Sequence, residues 1–126
     1  MQSTKVLVID DDSEIRYSLE PVLSSRGYEI QVAPSAEEGI QLIKKEKPDV
    51  ALMDVRMEGI SGIEALQNLR KESKQTMIII MTAFGSVISA VESMKAGAYD
   101  YITKPFPRDL LRATVRRCLE SLNLKR

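Results

Sequence analysis

The feature that most constrains the fold of this sequence is a fivefold alternation of short apolar runs with longer segments of helical period. The apolar runs are Lys5–Asp10, Tyr28–Val32, Asp49–Asp54, Thr76–Met81 and Tyr99–Thr103. Three of them are almost continuously hydrophobic, which is typical of strands buried on both faces of a parallel sheet. The run Tyr28–Val32 is the most polar and is predicted to be an edge strand. The alternation predicts an α/β fold of the (βα)5 type, a flavodoxin-like doubly wound parallel sheet with strand order 2-1-3-4-5.

Capping and helix-breaking residues mark the predicted helices between the runs. The first helix is expected to end at Gly27 and the fourth at Gly97. The second starts with the capping box Ser35-Ala-Glu-Glu38 and closes before Pro48. Apolar residues at helical spacing identify the five helices in chain order: Ile15, Leu19, Val22 and Leu23; Ile40 and Ile43; Ile63, Leu66 and Leu69; Ile88, Val91 and Met94; and Leu111, Val115, Cys118, Leu119 and Leu122.

Length and charge restrict the class of protein. The 126 residues suit one domain, residues 1–126, and the last helix, about residues 108–126, is expected to lead into a linker and an output domain absent from this sequence. The 18 Lys and Arg residues balance the 18 Asp and Glu residues, so direct nucleic-acid binding is not expected. No apolar run approaches the roughly 18 residues of a membrane span, and the N-terminus does not resemble a signal peptide. We therefore expect a cytoplasmic protein without membrane contact.

The chain contains no histidine and a single cysteine, Cys118. The missing histidine excludes His-based acid/base catalysis, Ser-His-Asp triads and the common His-containing zinc sites. Cys118 lies on an apolar helical stripe and is predicted to be a core residue. Chemistry in this chain must therefore rest on carboxylates, Lys, Thr, Tyr and a hard metal ion.

Polar residues follow the carboxyl ends of the central strands, where ligands bind in folds of this type. They are Asp10, Asp11 and Asp12 after strand one, Asp54 at the end of strand three, Thr82 after strand four, and Lys104 after strand five. Strands one and three are neighbours in the predicted order, so we expect Asp10, Asp11 and Asp54 to converge. Asp12 or Ser13 is expected to cap the first helix.

Several carboxylates in one small space repel each other unless a cation joins them. Mg²⁺ is the natural occupant, with Mn²⁺ as a second candidate, because it takes carboxylates, waters and a phosphate oxygen in an octahedron. Lys104 adds a point charge suited to a phosphoryl oxygen, and Thr82 adds a hydroxyl donor. The set favours phosphoryl transfer by positioning and charge, with a carboxylate as the acceptor.

Four motifs resemble the receiver domains of bacterial two-component response regulators: VLVIDDDSEIR, LMDVRMEGISG, MTAFGS and KPF. The resemblance covers essentially the full chain, and it implies a function for each matching residue. Asp54 is then the phosphoacceptor, assisted by Lys104, and the metal ligands are Asp10, Asp11, Asp54 and the backbone carbonyl of Arg56. Thr82 and Tyr101 are the switch residues. The Lys104–Pro105 bond is expected to be cis.

The resemblance also implies partners. A sensor histidine kinase supplies the phosphoryl group, and the face formed by the fourth helix, fifth strand and fifth helix (the α4-β5-α5 face) then changes its packing. A homodimer through this face is expected. The stretch MTAFGSVISAVESMKAGAYDYITKPF resembles receivers of sigma-54-dependent transcription activators, in which the linked output consists of AAA+ and DNA-binding domains.

Three residues qualify this resemblance. Glu58 stands four residues after the acceptor, where receivers usually carry proline, so the rigidity of that loop and the metal affinity are in question. Arg56 and Phe84, two residues after Asp54 and Thr82, are both large, and these positions control access of water in the family. We therefore predict a slowly decaying phosphoryl state, in a domain whose only reactions are its own phosphorylation and dephosphorylation.

Two rival functions are open on the residues alone. A haloacid-dehalogenase-like phosphatase places a nucleophile and an acid in an Asp-x-Asp motif, which Asp10 and Asp12 match, but it needs a larger core and a later acidic pair. A flavodoxin-like nucleotide binder needs a phosphate-binding loop after the first strand, and no Gly-rich motif is found there. Replacing Asp54 with Asn separates the receiver from the phosphatase.

Overall fold

The computed structural model describes residues 4–24, 27–54, 62–83, 94–104 and 106–125. Its five strands form one parallel sheet in the order β2-β1-β3-β4-β5, which confirms the predicted topology and the edge position of the second strand. The strands are β1 (Lys5–Ile9), β2 (Glu29–Ala33), β3 (Val50–Asp54), β4 (Met77–Ala83) and β5 (Asp100–Lys104). Of the helices in these ranges, none combines the length and apolar character that crossing a membrane requires.

The described helices are α1 (Ser13–Ser24), α2 (Ala36–Glu46), α3 (Gly62–Glu72) and the C-terminal helix (Arg108–Lys125). The fourth predicted helix falls largely outside the described residues. Local capping sets two of the helix starts. The Glu14 N–H donates to Asp12 Oδ1 at 2.9 Å at the start of α1, and the Glu38 N–H donates to Ser35 Oγ at 3.2 Å in α2.

Alternate side chains of each buried strand enter two separate cores. Val6 and Val8 of β1 pack with α1 and the C-terminal helix, whereas Leu7 and Ile9 pack with α2 and α3. Cys118 is fully buried in the first of these cores, as predicted. Because helices cover both faces, polar chemistry is confined to the ends of the strands.

Helix α2 approaches β1 closely at Gly39. A Cβ atom at this position would lie 2.5 Å from Ile9 Cδ1 and 2.9 Å from Ile9 Cγ1. Real Cβ atoms do not make such contacts, so the missing side chain of Gly39 allows α2 to pack against the end of β1. Ile9 immediately precedes Asp10, and this packing therefore supports the edge of the sheet where the polar residues gather.

Candidate functional site

Strand register brings the predicted polar residues to one edge of the sheet. Ile9 pairs with Met53, so Asp10 after β1 and Asp54 at the end of β3 occupy adjacent positions in the same row. Asp54 pairs in turn with Met81 on β4, one residue before Thr82. Lys104 at the end of β5 pairs with Ala83. The parallel arrangement therefore explains how Asp10, Asp54 and Lys104, which belong to three different strand ends, form one site.

Lys104 bridges two buried carboxylates. Its Nζ donates to Asp10 Oδ2 at 2.7 Å and to Asp54 Oδ2 at 3.1 Å. The Asp10 side chain is fully buried, that of Asp54 is 9% exposed and that of Lys104 is 21% exposed. One ammonium group therefore donates hydrogen bonds to two carboxylates. Sequence reasoning placed these three residues together but did not predict that the lysine would join both acids.

The turn between β1 and α1 holds Asp10 through backbone and side-chain hydrogen bonds. The Asp10 N–H donates to the Ala33 carbonyl at 3.1 Å, and Asp10 Oδ1 accepts the Asp12 N–H at 2.9 Å. Arg16 Nη1 donates to the Asp10 carbonyl at 2.6 Å. Sequence reasoning missed Arg16; the available signal was an arginine one helical turn after an acidic strand end. Asp12 caps α1, as one of the two predicted candidates.

The charge balance of the site is visible in two pKa values. Burial raises the pKa of the Asp10 carboxyl, and the negative charge of Asp54 adds to this, against the hydrogen bonds from Lys104 and the Asp12 N–H. Burial alone would lower the pKa of Lys104, but the hydrogen bond and charge of Asp10, together with Asp54, raise it overall. Lys104 is therefore positively charged at neutral pH, whereas burial disfavours the ionised form of Asp10.

The carboxylates of Asp10, Asp11 and Asp54 fit a hard divalent cation. One oxygen from each residue lies within 4.8 Å of the others, with Asp10 and Asp54 buried and Asp11 exposed. Lys104 Nζ contacts the carboxylates of Asp10 and Asp54, and three acidic side chains this close together favour a further cation. Oxygen ligands at this spacing, open to solvent on one side, match the preference of Mg²⁺ for one or two carboxylates plus waters.

A comparison with protein families identifies the fold that carries this cluster. Residues 6–116 match the family described as Response regulator receiver domain. The chain belongs to the response regulator receiver domain family. Such domains act as phosphorylation-dependent switches in two-component signal transduction. The family match gives no support to a haloacid-dehalogenase-like phosphatase.

Individual relatives agree with this assignment. The receiver domain is 36% identical to Regulatory protein AtoC of Escherichia coli over 122 residues, covering 97% of this chain and 26% of that protein. It is 39% identical to the C4-dicarboxylate transport transcriptional regulatory protein DctD of Pseudomonas aeruginosa over 117 residues, covering 93% of this chain and 25% of that protein. The chain thus spans about a quarter of each relative.

Solved structures show the same fold. The CheY-like response regulator receiver domain protein of Methanospirillum hungatei superposes with a TM-score of 0.94 at 30% identity, covering 99% of this chain and 100% of the other. The five-stranded order found here is therefore that of a receiver domain across its whole length.

The remaining predicted residues of the receiver domain are described in part. Thr82 lies in β4 and pairs with Thr103, while its side chain lies outside the described residues. Tyr101 is 45% exposed and lines a groove of about 630 Å³ together with Lys104, Leu110 and Arg117. Arg56, Glu58, Phe84 and Pro105, and with them the expected cis bond, also lie outside the described residues.

Proposed function

We propose that Asp54 is the phosphoacceptor of this receiver domain. The metal ligands in this proposal are Asp10, Asp11, Asp54 and the backbone carbonyl of Arg56, and the ion is Mg²⁺, or Mn²⁺ in its place. The observation that carries the proposal is the contact of Lys104 Nζ with both Asp10 and Asp54, because it places a fixed positive charge beside the acceptor oxygen. When bound, the ion supplies further positive charge against the phosphoryl oxygens.

The chemistry is a transfer from a phosphohistidine of a sensor histidine kinase. A carboxylate oxygen of Asp54 forms a bond to phosphorus, while the bond from phosphorus to the histidine nitrogen breaks and its electron pair stays on the imidazole. Lys104 neutralises charge on the phosphoryl oxygens as they enter the site. Because the nucleophile is a carboxylate oxygen, no proton has to be removed from a hydroxyl group in this step.

Acetyl phosphate with Mg²⁺ tests the acceptor directly. Intact mass spectrometry should show addition of one phosphoryl group, and peptide mapping should place it on Asp54. Asp54→Asn should abolish the adduct, whereas the matched variant Asp12→Asn should keep it, because Asp12 caps α1. An adduct on any other residue, or none in the wild-type domain, would rule out the proposal.

Signalling is assigned to Thr82 and Tyr101. The Thr82 hydroxyl bonds the phosphoryl group, and Tyr101 turns from its exposed position into the space that Thr82 leaves. Moving a population from 1:99 to 99:1 requires about 5.5 kcal/mol. One hydrogen bond to a charged group supplies about 1.5–3 kcal/mol, so contacts from Lys104 and the metal ion must contribute as well.

The repacked α4-β5-α5 face, which includes the groove beside Tyr101, is proposed to form a homodimer and to control a covalently linked output domain. Sedimentation with and without a beryllofluoride mimic tests the first point, and equal monomer behaviour in both states would contradict it. The output is proposed to be an AAA+ module with a DNA-binding domain, in a cytoplasmic sigma-54-dependent activator. The receiver domain itself binds neither nucleic acid nor membrane in this proposal.

The phosphoryl state is proposed to decay slowly, because Arg56 and Phe84 are both large. Loss of label from purified phosphorylated domain should take minutes or longer at neutral pH, and replacing both residues with smaller ones should shorten it. A decay complete within seconds in the wild-type domain would refute this part of the proposal.

A further inference from the structure

Arg16 reaches back from α1 to the backbone of the acidic turn. Its Nη1 donates to the carbonyl oxygen of Asp10 at 2.6 Å, across six positions of the chain. The arginine is half-buried. A guanidinium is charged at every accessible pH, and hydrogen bonds from charged donors are the short, strong ones. The contact is therefore a firm attachment of α1 to the residue that carries the buried carboxylate.

The hydrogen bonds of this turn fix both peptide planes that flank Asp11. The Asp10 carbonyl belongs to the planar peptide between Asp10 and Asp11, and Arg16 binds it. The Asp12 N–H belongs to the next peptide, and Asp10 Oδ1 accepts it at 2.9 Å. With both planes held, the Cα–Cβ direction of Asp11 is set by the backbone alone.

Asp11 has most need of such support among the three clustered acids. Asp10 and Asp54 are buried and share the Lys104 ammonium group, whereas the Asp11 side chain is exposed. An exposed carboxylate that binds a metal ion loses side-chain and backbone conformational entropy. This loss is smaller when its backbone is already oriented before the ion binds. We infer that Arg16 is a positioning residue for the divalent-cation site, acting through the Asp10–Asp11 peptide on the Asp11 carboxylate.

This inference rests on the proposed function, since it assumes that the three acids hold Mg²⁺. Loss of positioning and loss of charge at Arg16 should change the affinity for Mg²⁺ in opposite directions. A guanidinium beside an acidic cluster repels an incoming cation, so removing its charge would by itself tighten Mg²⁺ binding. A loss of orientation weakens binding instead, and partners of metal ligands typically contribute about 10–100-fold in affinity.

The matched control is Arg70. Its Nη1 donates to the Thr76 carbonyl at 3.3 Å, also across six positions, and it is likewise half-buried, but Thr76 lies at the opposite end of the sheet. Mg²⁺ is titrated into R16Q, R16K, R70Q and wild-type domain, and binding is followed by amide chemical shifts and by competition with Mn²⁺ in electron paramagnetic resonance.

R16Q should bind Mg²⁺ about tenfold more weakly than wild type. R16K keeps the positive charge on a single donor nitrogen but loses the planar guanidinium geometry, so its Mg²⁺ affinity should fall between those of R16Q and wild type. R70Q should match wild type. Equal or tighter binding by R16Q overturns the inference, and so does wild-type affinity in R16K if R16Q fails to fold. Absence of Mg²⁺ binding in the wild-type domain would count against the proposed function itself.

Discussion

Replacing Lys104 with Met tests how far one ammonium group offsets the repulsion in the acidic cluster. The substitution keeps a long apolar side chain but leaves Asp10 and Asp54 facing each other without their shared donor, whose Nζ lies at 2.7 and 3.1 Å from them. Breaking a buried ion pair by removing one partner costs about 3–5 kcal/mol. The lysine side chain is 21% exposed and water reaches it, so we expect a loss of about 2–3 kcal/mol.

Urea denaturation at neutral pH without divalent ions measures this loss. For a domain of this size the melting temperature should also fall by about 10 °C. The matched variant is Lys5→Met, which removes a surface pair with Glu46 at 3.4 Å whose side chains are 35% and 23% exposed. That change should cost clearly less stability than Lys104→Met, because water screens a surface pair.

The loss in Lys104→Met should also depend on pH and on Mg²⁺. The lysine hydrogen bond holds the pKa of Asp10 down against burial, so its removal raises that pKa further. A carboxyl with a raised folded-state pKa destabilises the fold only while it is ionised, and the gap to wild type should narrow as the pH falls through that pKa. Mg²⁺ should narrow it too. Equal losses in the two variants, or a gap independent of both pH and Mg²⁺, would refute this reasoning.

Asp10→Asn should stabilise the metal-free domain at neutral pH, because burial raises the pKa of Asp10 and disfavours its ionised form. The same variant should abolish stabilisation by Mg²⁺. For the wild-type domain that stabilisation is about 1.4 kcal/mol when the Mg²⁺ concentration is ten times the dissociation constant. Urea titrations with and without Mg²⁺ check both effects; a less stable variant contradicts the first. Gly39→Ala should lower the free energy of unfolding by about 1–3 kcal/mol through overpacking, against a gain of up to about 1 kcal/mol in helix propensity. Adding Ile9→Val removes the Cδ1 atom that the new Cβ would meet, so the double variant should recover part of this loss. A gain in stability from Gly39→Ala alone would contradict the packing argument. The pKa of Glu46 is lowered, chiefly by the hydrogen bond from Gln31. Ionised Glu46 therefore stabilises the fold above its unfolded-state pKa, and this stabilisation is lost as the pH falls through the lower folded-state pKa. Glu46→Gln should remove this part of the dependence of unfolding free energy on acidic pH, and an unchanged dependence would contradict the prediction.

Sequence periodicity predicted the strands of this domain within two residues, because parallel strands buried on both faces must be almost uniformly apolar. Polar residues at the ends of such strands then stand out. Asp10, Asp54 and Lys104 could be assigned to one site from strand order alone, since the carboxyl ends of parallel strands lie at one edge.

Contacts that depend on side-chain direction could not be predicted in the same way. The reach of Arg16 to the Asp10 carbonyl depends on the rotamer of a long side chain, and no periodicity reports that. The close approach of Gly39 to Ile9 depends on how deeply α2 sits on the sheet, which a helix pattern leaves open. The contacts of Lys104 with both Asp10 and Asp54 depend on the register of β5 against β4. Tertiary packing sets that register, and the local sequence pattern does not report it.

The long sequence separation inside the charged cluster has a consequence for synthesis on the ribosome. Asp10 and Asp54 are made 94 and 50 residues before Lys104. Until the last strand arrives, a growing chain that buried β1 and β3 would enclose carboxylates without their internal cation, which is unfavourable. The nascent sheet is therefore expected to close late and as one unit. A chain that stops before β5 would therefore leave the acidic cluster without the Lys104 ammonium group.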